Sequence, residues 1–572
     1  MKYFLYYIKL YRRHFWTGIG FLAITDILDV IPPLIIGKGV NQITEGAPVN
    51  VLLKTALFFC GLTIFLAFVR FHWRMQFGKF HQNMARDLRN RVFKKLTELG
   101  PTFYSKNPIG ELMSLMTNDI ETIRMGMGPG VIVLTDAFFY FLTIPPIMLW
   151  LSIPLTLKTL ILLPALPFFI TWISNIVHKR FLLVQDSFGE LSSITQENIS
   201  GIRVIKSYVQ EKNQIDIFNK ASGSWRDLNI KVAWAETFMH PVMEFCVTVG
   251  MVILLFSGSK DIVSGAITIG TFVAFQRYIS KMVWPMTAVG WGFSLVAQGR
   301  ASLDRIDTFL NTSLDVTPPP QPEKPLNLKG PLEVRDLSFK YPGSENFALK
   351  NISFQINPGE TFGIVGHVGS GKTTLAQLLC HLYEIDRGHI FVNHNDTRDI
   401  PLNTLRKHIS FVPQDTFLFS TSINENMSFG LESAPPAELL HRIAQIAKLD
   451  EEIESLPLRY ETPLGERGVN LSGGQKQRMT MTRALLRNSP VVIFDDSLSA
   501  VDAETESLIL KRLREETKEQ TTIIISHRLS SLSLCDRIIV LRNGQIENLG
   551  TPSELRKNST IYQELLHLQG YL

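Results

Sequence analysis

Apolar and polar positions divide the chain near residue 290. Before that point lie six apolar runs long enough to cross a bilayer, at about 15–36, 51–69, 131–151, 153–177, 241–258 and 265–286. The sixth is the weakest, because it carries Arg277 and Lys281. Beyond residue 330 the pattern is that of a soluble domain. Apolar residues alternate over 332–341 and 348–356, which predicts antiparallel strands, and continuous apolar runs at 361–365 and 491–494 predict buried strands. Between the halves, 311–330 includes Thr-Pro-Pro-Pro-Gln-Pro-Glu-Lys-Pro and is expected to be an extended linker.

Charge then orients the first half. The connections 70–130 and 178–240 hold ten and eight Lys or Arg, against one each in 37–50 and 259–264. Both long connections, the N-terminus and the soluble half are therefore expected in the cytosol. Residues 1–15 mix aromatics with Lys2, Lys9, Arg12 and Arg13 and read as an interfacial segment that is retained. The long connections favour helix, so the spanning helices should continue into the cytosol. Within them, 108–123 and 207–218 are amphipathic: solvated helices, or surfaces that dock on the soluble half. Asp26, Asp29, Asp136 and Glu244 are the deepest acids. They either line a polar pathway or pair internally, with Arg277 and Lys281 as candidate partners. Cys60, Cys246, Cys380 and Cys535 have neither disulfide nor metal-ligand spacing.

The chemistry begins at 365–374, Val-Gly-His-Val-Gly-Ser-Gly-Lys-Thr-Thr, which fits G-x-x-x-x-G-K-[ST] between a predicted strand and a predicted helix. Gly366, Gly369 and Gly371 let the backbone N–H groups of the loop, Ser370 and Thr374 included, turn toward one anion at a helix N-terminus. Lys372 is expected between the β- and γ-phosphates, and the Thr373 hydroxyl on Mg²⁺. Tyr341, on a Lys-Tyr-Pro-Gly turn, either stacks on adenine or simply packs. The run at 491–494 ends in two carboxylates. Asp495 is expected to hold Mg²⁺ through water and Asp496 to face the attacking water, a helix cap being the alternative.

Between and beyond these stand Phe411-Val-Pro-Gln-Asp415, Asn470-Leu-Ser-Gly-Gly-Gln-Lys-Gln-Arg478, Ser499-Ala-Val-Asp502 and Ile523-Ile-Ile-Ser-His-Arg528. With them the second half resembles the nucleotide-binding domain of the ATP-binding cassette family, whose signature is Leu-Ser-Gly-Gly-Gln. With six upstream runs, the whole chain resembles an exporter half-transporter of the multidrug and lipid type. The resemblance implies a fold class: a membrane α-helical domain, with six transmembrane helices and long cytosolic extensions, followed by an α/β P-loop ATPase domain with a helical subdomain. It implies domains at 1–310 and 331–572, joined by the linker. It implies two cassettes closing head to tail over two ATPs, so that Ser472, Gly473, Gly474 and Gln475 reach the nucleotide on the partner's phosphate loop. Gln414 would ligate Mg²⁺, His527 would contact the γ-phosphate, and Asp502 would couple the two sites. The loop 465–468 would meet the cytosolic helices, and 108–123 and 207–218 would be coupling helices.

One position departs from the family. The residue after the Mg²⁺ aspartate is usually glutamate and here is Asp496. Losing a methylene withdraws the carboxylate by roughly 1.5 Å, and a displacement near 1 Å costs on the order of a hundredfold in rate. The expected assembly is a heterodimer whose second chain carries the competent site and borrows this chain's signature, with a homodimer as the alternative. The expected activity is ATP-driven export of a hydrophobic or amphipathic drug, lipid or peptide across a bacterial cytoplasmic membrane, with ATP and Mg²⁺ as cofactors. The alternative is an ATP-binding regulatory membrane subunit with a hydrolytically weak site. Nothing in the composition selects a substrate.

Overall fold

The computed structural model describes residues 2–161, 165–319 and 326–569. The chain forms two compact units, one of 1–97 with 109–312 and the other of 98–108 with 313–572.

The first unit is helical. After α1 (Lys2–Leu10), the first apolar run divides into α2 (Arg12–Leu28) and α3 (Ile31–Thr44), which meet at Asp29–Val30. Pro32 and Pro33 lack N–H donors and are best accommodated in the opening turn of a helix, where those donors have no partner to lose, and the break falls there. α4 (Val49–Glu98) has 50 residues. At 1.5 Å per residue that is about 75 Å, far more than a bilayer core requires. α5 (Val131–Leu151), α6 (Ala165–Ser200), α7 (Glu211–Val263) and α8 (Ile269–Leu310) follow. Among the described residues, helical stretches at 12–44, 49–98, 109–151 and 211–263 are long and apolar enough to cross a membrane. The run expected at 153–177 is less regular. Ile153–Thr159 is a separate short helix, residues 162–164 lie outside the described residues, and α6 starts at Ala165. The run at 265–286 opens α8, with Arg277 and Lys281 in it. Of the linker expected over 311–330, residues 320–325 lie outside the described residues.

The second unit holds two sheets. β1 (Leu332–Phe339) and β2 (Leu349–Ile356) pair antiparallel, as the alternation predicts, in a sheet of order β2-β1-β4-β5 with β4 (Ile390–Val392) and β5 (Asn395–Asp396). The larger sheet has the order β10-β9-β3-β8-β7-β6. Its parallel strands are β3 (Thr361–Gly366), β6 (Ile409–Val412), β7 (Val491–Asp495), β8 (Thr521–Ile525) and β9 (Arg537–Arg542), with β10 (Gln545–Gly550) antiparallel at one edge. β7 and β8 are buried along their whole length, the burial that continuous apolar runs produce in a parallel sheet covered on both faces. α9 (Lys372–Leu379) starts at the phosphate-loop lysine, three residues before the apolar stretch that announces it. α10 (Ala437–Ile446) and α11 (Gly473–Arg487) belong to one apolar core with Leu440, Ile443, Met479 and Leu485. α12 (Ala503–Glu516) and α13 (Thr560–Leu568) follow, with shorter helices among them.

Candidate nucleotide site

Parallel register brings three chain segments to one edge. Ile364 of β3 and Asp495 of β7 both stand opposite Ile525 of β8. The phosphate loop, the Asp495–Asp496 pair and Ser526–His527 therefore leave the sheet side by side, at the carboxyl ends where such sheets take ligands. The ladder runs one residue past the strands: Asp496 N–H donates to the Ile525 carbonyl at 2.8 Å, and Ser526 N–H to the Ile364 carbonyl at 3.2 Å.

Glycine sets the loop's shape at two close approaches. A Cβ on Gly366 would stand 2.3 Å from the Leu541 carbonyl oxygen, and one on Gly371, whose φ is 100°, 2.7 Å from Leu349 Cδ2. Neither position admits a side chain. Gly369 also has positive φ but faces open space. Lys372 Nζ donates to the carbonyls of Gly366 and His367 at 2.8 and 2.9 Å. Burial lowers its pKa, opposed by the carboxylates of Asp496 and Asp495. Ser370 is buried and its Oγ has no partner. The Thr373 hydroxyl bonds the carboxyl of Asp495, whose Oδ2 is buried and unpartnered. Burial pushes the Asp495 carboxyl above its ordinary range, and Asp496 adds to that. A hard divalent cation takes carboxylate and hydroxyl oxygens of this kind, so the residues fit Mg²⁺.

Asp496 follows β7 with φ 47°, in the left-handed region that a short polar side chain tolerates. Its two carboxylate oxygens each lie 2.9 Å from His527 Nδ1. Tyr341 OH is 2.8 Å from Thr374 Oγ1, and the Tyr341 ring stands edge-on to Phe339 and Tyr383, each centroid 5.2 Å away. The tyrosine is tied to the phosphate-loop helix as well as packed.

The remaining expected residues sit elsewhere in the unit. Ser472 and Gln475 form a reciprocal cap at the start of α11, with Ser472 N–H donating to Gln475 Oε1 at 2.7 Å. Gly473 and Gly474 lie against Ala500. Among the described residues, no hydrogen bond or ion pair joins 472–475 to 366–374. Gln414 is exposed in the loop after β6. Asp502 caps α12 by accepting from Thr505 N–H at 2.9 Å, a bond that holds its carboxyl below the usual range.

Two residues that the motif reading passed over tie these segments together. Gln477 Nε2 donates to Ser499 Oγ at 2.9 Å, while its Oε1 accepts from Ala500 N–H at 2.8 Å. Arg528 donates to the Ser499 and Val501 carbonyls at 2.6 and 3.0 Å and pairs with Glu506 at 2.8 Å. Segment 499–502 is thus held both by α11 and by the histidine segment. Both residues stand inside quoted motifs, but partners twenty or more positions away leave no periodic trace.

In the helical unit Asp26, Asp29 and Asp136 lie close together, the Asp26 and Asp136 carboxyls sharing a side-chain hydrogen bond. Asp29, buried, is bonded by Arg70 at 2.7 Å, Lys281 at 2.6 Å and Tyr140 OH at 2.8 Å. Asp136 accepts from Trp284 Nε1 at 2.9 Å, and Asp26 is buried with Oδ2 unpartnered. Glu244 and Arg277 are exposed on their helices. Lys281, rather than Arg277, is the cation paired with a deep acid.

The comparisons with known proteins agree with this arrangement over nearly the whole chain. The family profile described as ABC transporter transmembrane region matches residues 15–286, and that described as ABC transporter matches 349–499. The chain is 36% identical, over 98% of its length and 96% of the relative's, to the probable multidrug resistance ABC transporter ATP-binding/permease protein YheI of Bacillus subtilis. It is 32% identical, over 99% and 95%, to the multidrug resistance-like ATP-binding protein MdlA of Escherichia coli. An ATP-dependent lipid A-core flippase of Haemophilus influenzae is 32% identical over 84% of this chain and 82% of its own. The solved structure of a bacterial Atm1-family ABC exporter with ATP bound shares the fold, with a TM-score of 0.79 at 24% identity and 98% of both chains covered.

Proposed function

The chain belongs to the ABC transporter family, and from that membership we propose that it is one half of a dimeric, ATP-driven exporter of a hydrophobic or amphipathic substrate. It is a multi-pass membrane protein with an ATPase domain on the cytosolic side, and its bacterial relatives support a place in the cytoplasmic membrane. One observation carries the reading. Lys372, Asp495, Asp496 and His527 share one sheet edge, while among the described residues the intact signature 472–475 has no bond to the phosphate loop. A complete site therefore needs the signature of a second half-transporter.

Each residue has work in that site. Gly366, Gly369, Ser370, Gly371 and Thr374 present the loop's N–H groups to phosphate, and the Lys372 ammonium exchanges its loop carbonyls for phosphate oxygens. Tyr341 would stand beside the adenine. Thr373, Asp495 and Gln414 would hold Mg²⁺, which neutralises phosphate charge when bound. Asp496 orients the attacking water and His527 holds the carboxylate and the γ-phosphate side of the site. Ser472, Gly473, Gly474, Gln475 and Asp502 serve the partner's nucleotide. Closure of the two ATPase domains would be transmitted through the segments 108–123 and 207–218, which would change access to the membrane cavity.

We propose a heterodimer, because Asp496 is a retracted base in a chain whose signature is intact; the homodimer is the alternative. The same residue supports a second reading, a regulatory ATP-binding subunit that moves nothing. Uptake of an amphipathic fluorescent cation or a labelled lipid into inverted vesicles separates them. ATP-dependent accumulation lost in Lys372→Ala supports export, and ATP binding without accumulation supports regulation.

A further inference from the structure

Gln569 lies just past α13 and reaches the histidine segment from 42 positions away. Its Nε2 donates to the His527 carbonyl at 2.7 Å, and its Oε1 accepts from Leu529 N–H at 2.9 Å. One amide therefore brackets the backbone on both sides of Arg528. Those partners matter because this backbone has left the sheet: β8 ends at Ile525, and the following short helix starts at Leu529. The amide is itself anchored. Ile561, Tyr562, Leu565 and Leu566 of α13 are buried in the same core as Leu529, Leu532 and Cys535, and Gln569 N–H donates to the Leu565 carbonyl at 3.1 Å. On the same helix, Glu564 Oε2 stands 3.7 Å from Nε2 of His367, a phosphate-loop residue. The helix thus meets both segments that flank the reacting phosphate.

We propose that Gln569 is a positioning residue for His527, fixing its backbone so that Nδ1 stays on the Asp496 carboxylate, and that α13 is thereby part of the hydrolytic apparatus. The proposal rests on the reading of His527 given above. Beside the bonds of the Arg528 side chain, two hydrogen bonds from Gln569 hold the three-residue segment that carries the imidazole, and a misplacement of about 1 Å there costs on the order of ten- to a hundredfold in rate. Nucleotide affinity depends on the phosphate loop, which Gln569 does not touch, so the effect falls on kcat rather than KM.

The test uses the full chain in lipid nanodiscs; where a partner half-transporter co-purifies, the lysine of the partner's own phosphate loop is replaced by alanine, so that turnover reports the site built on this chain's His527. Gln569→Met keeps the length and loses both bonds. Gln569→Glu keeps the acceptor for Leu529 but faces the His527 carbonyl with an oxygen until it is protonated. The expected result is kcat down about tenfold or more in Gln569→Met, with KM for ATP within twofold. Gln569→Glu should be similarly slow at pH 8 and gain on the parent as pH falls toward the ordinary glutamate range near 4.3. Independently of turnover, diethylpyrocarbonate should modify His527 several-fold faster in Gln569→Met than in the parent, read by mass spectrometry. Parental kcat and parental modification rate in both variants would overturn the proposal, as would equal loss of kcat and nucleotide affinity. Parental turnover in His527→Ala would overturn the reading of His527 and this proposal together. Loss in His527→Ala with parental behaviour of both Gln569 variants would overturn the positioning role alone.

Discussion

His527 Nδ1 sits 2.9 Å from both carboxylate oxygens of Asp496. With one nitrogen facing two oxygens, the carboxylate is engaged by the imidazole over its whole edge. A glutamate at this position would carry its carboxylate roughly 1.5 Å farther, toward the in-line water. Asp496→Glu should therefore raise ATP turnover of the purified chain in lipid by about tenfold or more, and Asp496→Asn should reduce it to background. Fast wild-type turnover that glutamate does not improve would make aspartate a sufficient base and favour the homodimer.

Gly474 provides a separation of binding from turnover. A Cβ there would stand 2.9 Å from the Ala500 carbonyl oxygen, in the segment that Gln477 and Arg528 hold from two sides. Gly474→Ala should displace 499–502 and lower turnover by about tenfold, while nucleotide affinity of the phosphate loop stays within twofold. Fluorescent nucleotide titration beside a phosphate-release assay reads both. Equal loss of the two would place the signature in nucleotide retention on its own chain.

Much of this site is legible in the residues, because local chemistry dictates it. The phosphate loop needs glycines where Gly366 and Gly371 meet neighbouring backbone and side chain, and continuous apolar runs give β3, β7 and β8 their burial. What was not legible depends on long separations. Gln569 reaches His527, Arg528 reaches Ser499, and Arg70 reaches Asp29 across 41 positions, and a side-chain pair of that kind has no period. The division of the first apolar run at Asp29–Val30 is intermediate: Pro32 and Pro33 announce a break, but apolar composition alone reads straight through it.

The close crossing of α3 and α8 tests how that unit packs. A Cβ on Gly270 would lie 2.0 Å from the Gly37 carbonyl oxygen, and one on Gly37 2.5 Å from that of Gly270. Asn41 then satisfies the start of α8, accepting from Gly270 N–H at 2.7 Å and donating to Thr268 Oγ1 at 2.9 Å. Small residues let helix backbones approach this closely in a membrane. Gly270→Val should part the helices and lower the midpoint of thermal aggregation in detergent by several degrees, with less monodisperse protein on size exclusion. An unchanged midpoint would mean that the crossing contributes nothing to stability.

Asp29 distinguishes an internal ion pair from a translocation group. It is held by Arg70, Lys281 and Tyr140, and removing its charge leaves two cations facing each other. Asp29→Asn should destabilise the helical unit by about 2–3 kcal/mol, at the lower end for broken pairs because Arg70 and Lys281 are partly exposed. Adding Lys281→Met should recover about half of that, while substrate selectivity in vesicles stays parental. A selectivity change with unchanged stability would instead put Asp29 on the pathway.

His381 predicts the acid limb of the ATPase domain. It is fully buried, and burial followed by the guanidinium groups of Arg398 and Arg406, opposed by a backbone contact at Thr397, lowers its pKa from 6.5 to about 4. The unfolded imidazole takes up its proton as pH falls through 6.5, while the folded one does so only near 4. Between those values the unfolded state binds more protons, so stability falls with pH, by up to about 3 kcal/mol below pH 4. The positive φ at His381 makes asparagine the tolerated replacement. His381→Asn, whatever it costs at pH 7.5, should show a shallower decline of the domain's denaturation midpoint between pH 6.5 and 4 than the parent. Parallel declines in the two proteins would mean that this imidazole does not titrate differently on folding.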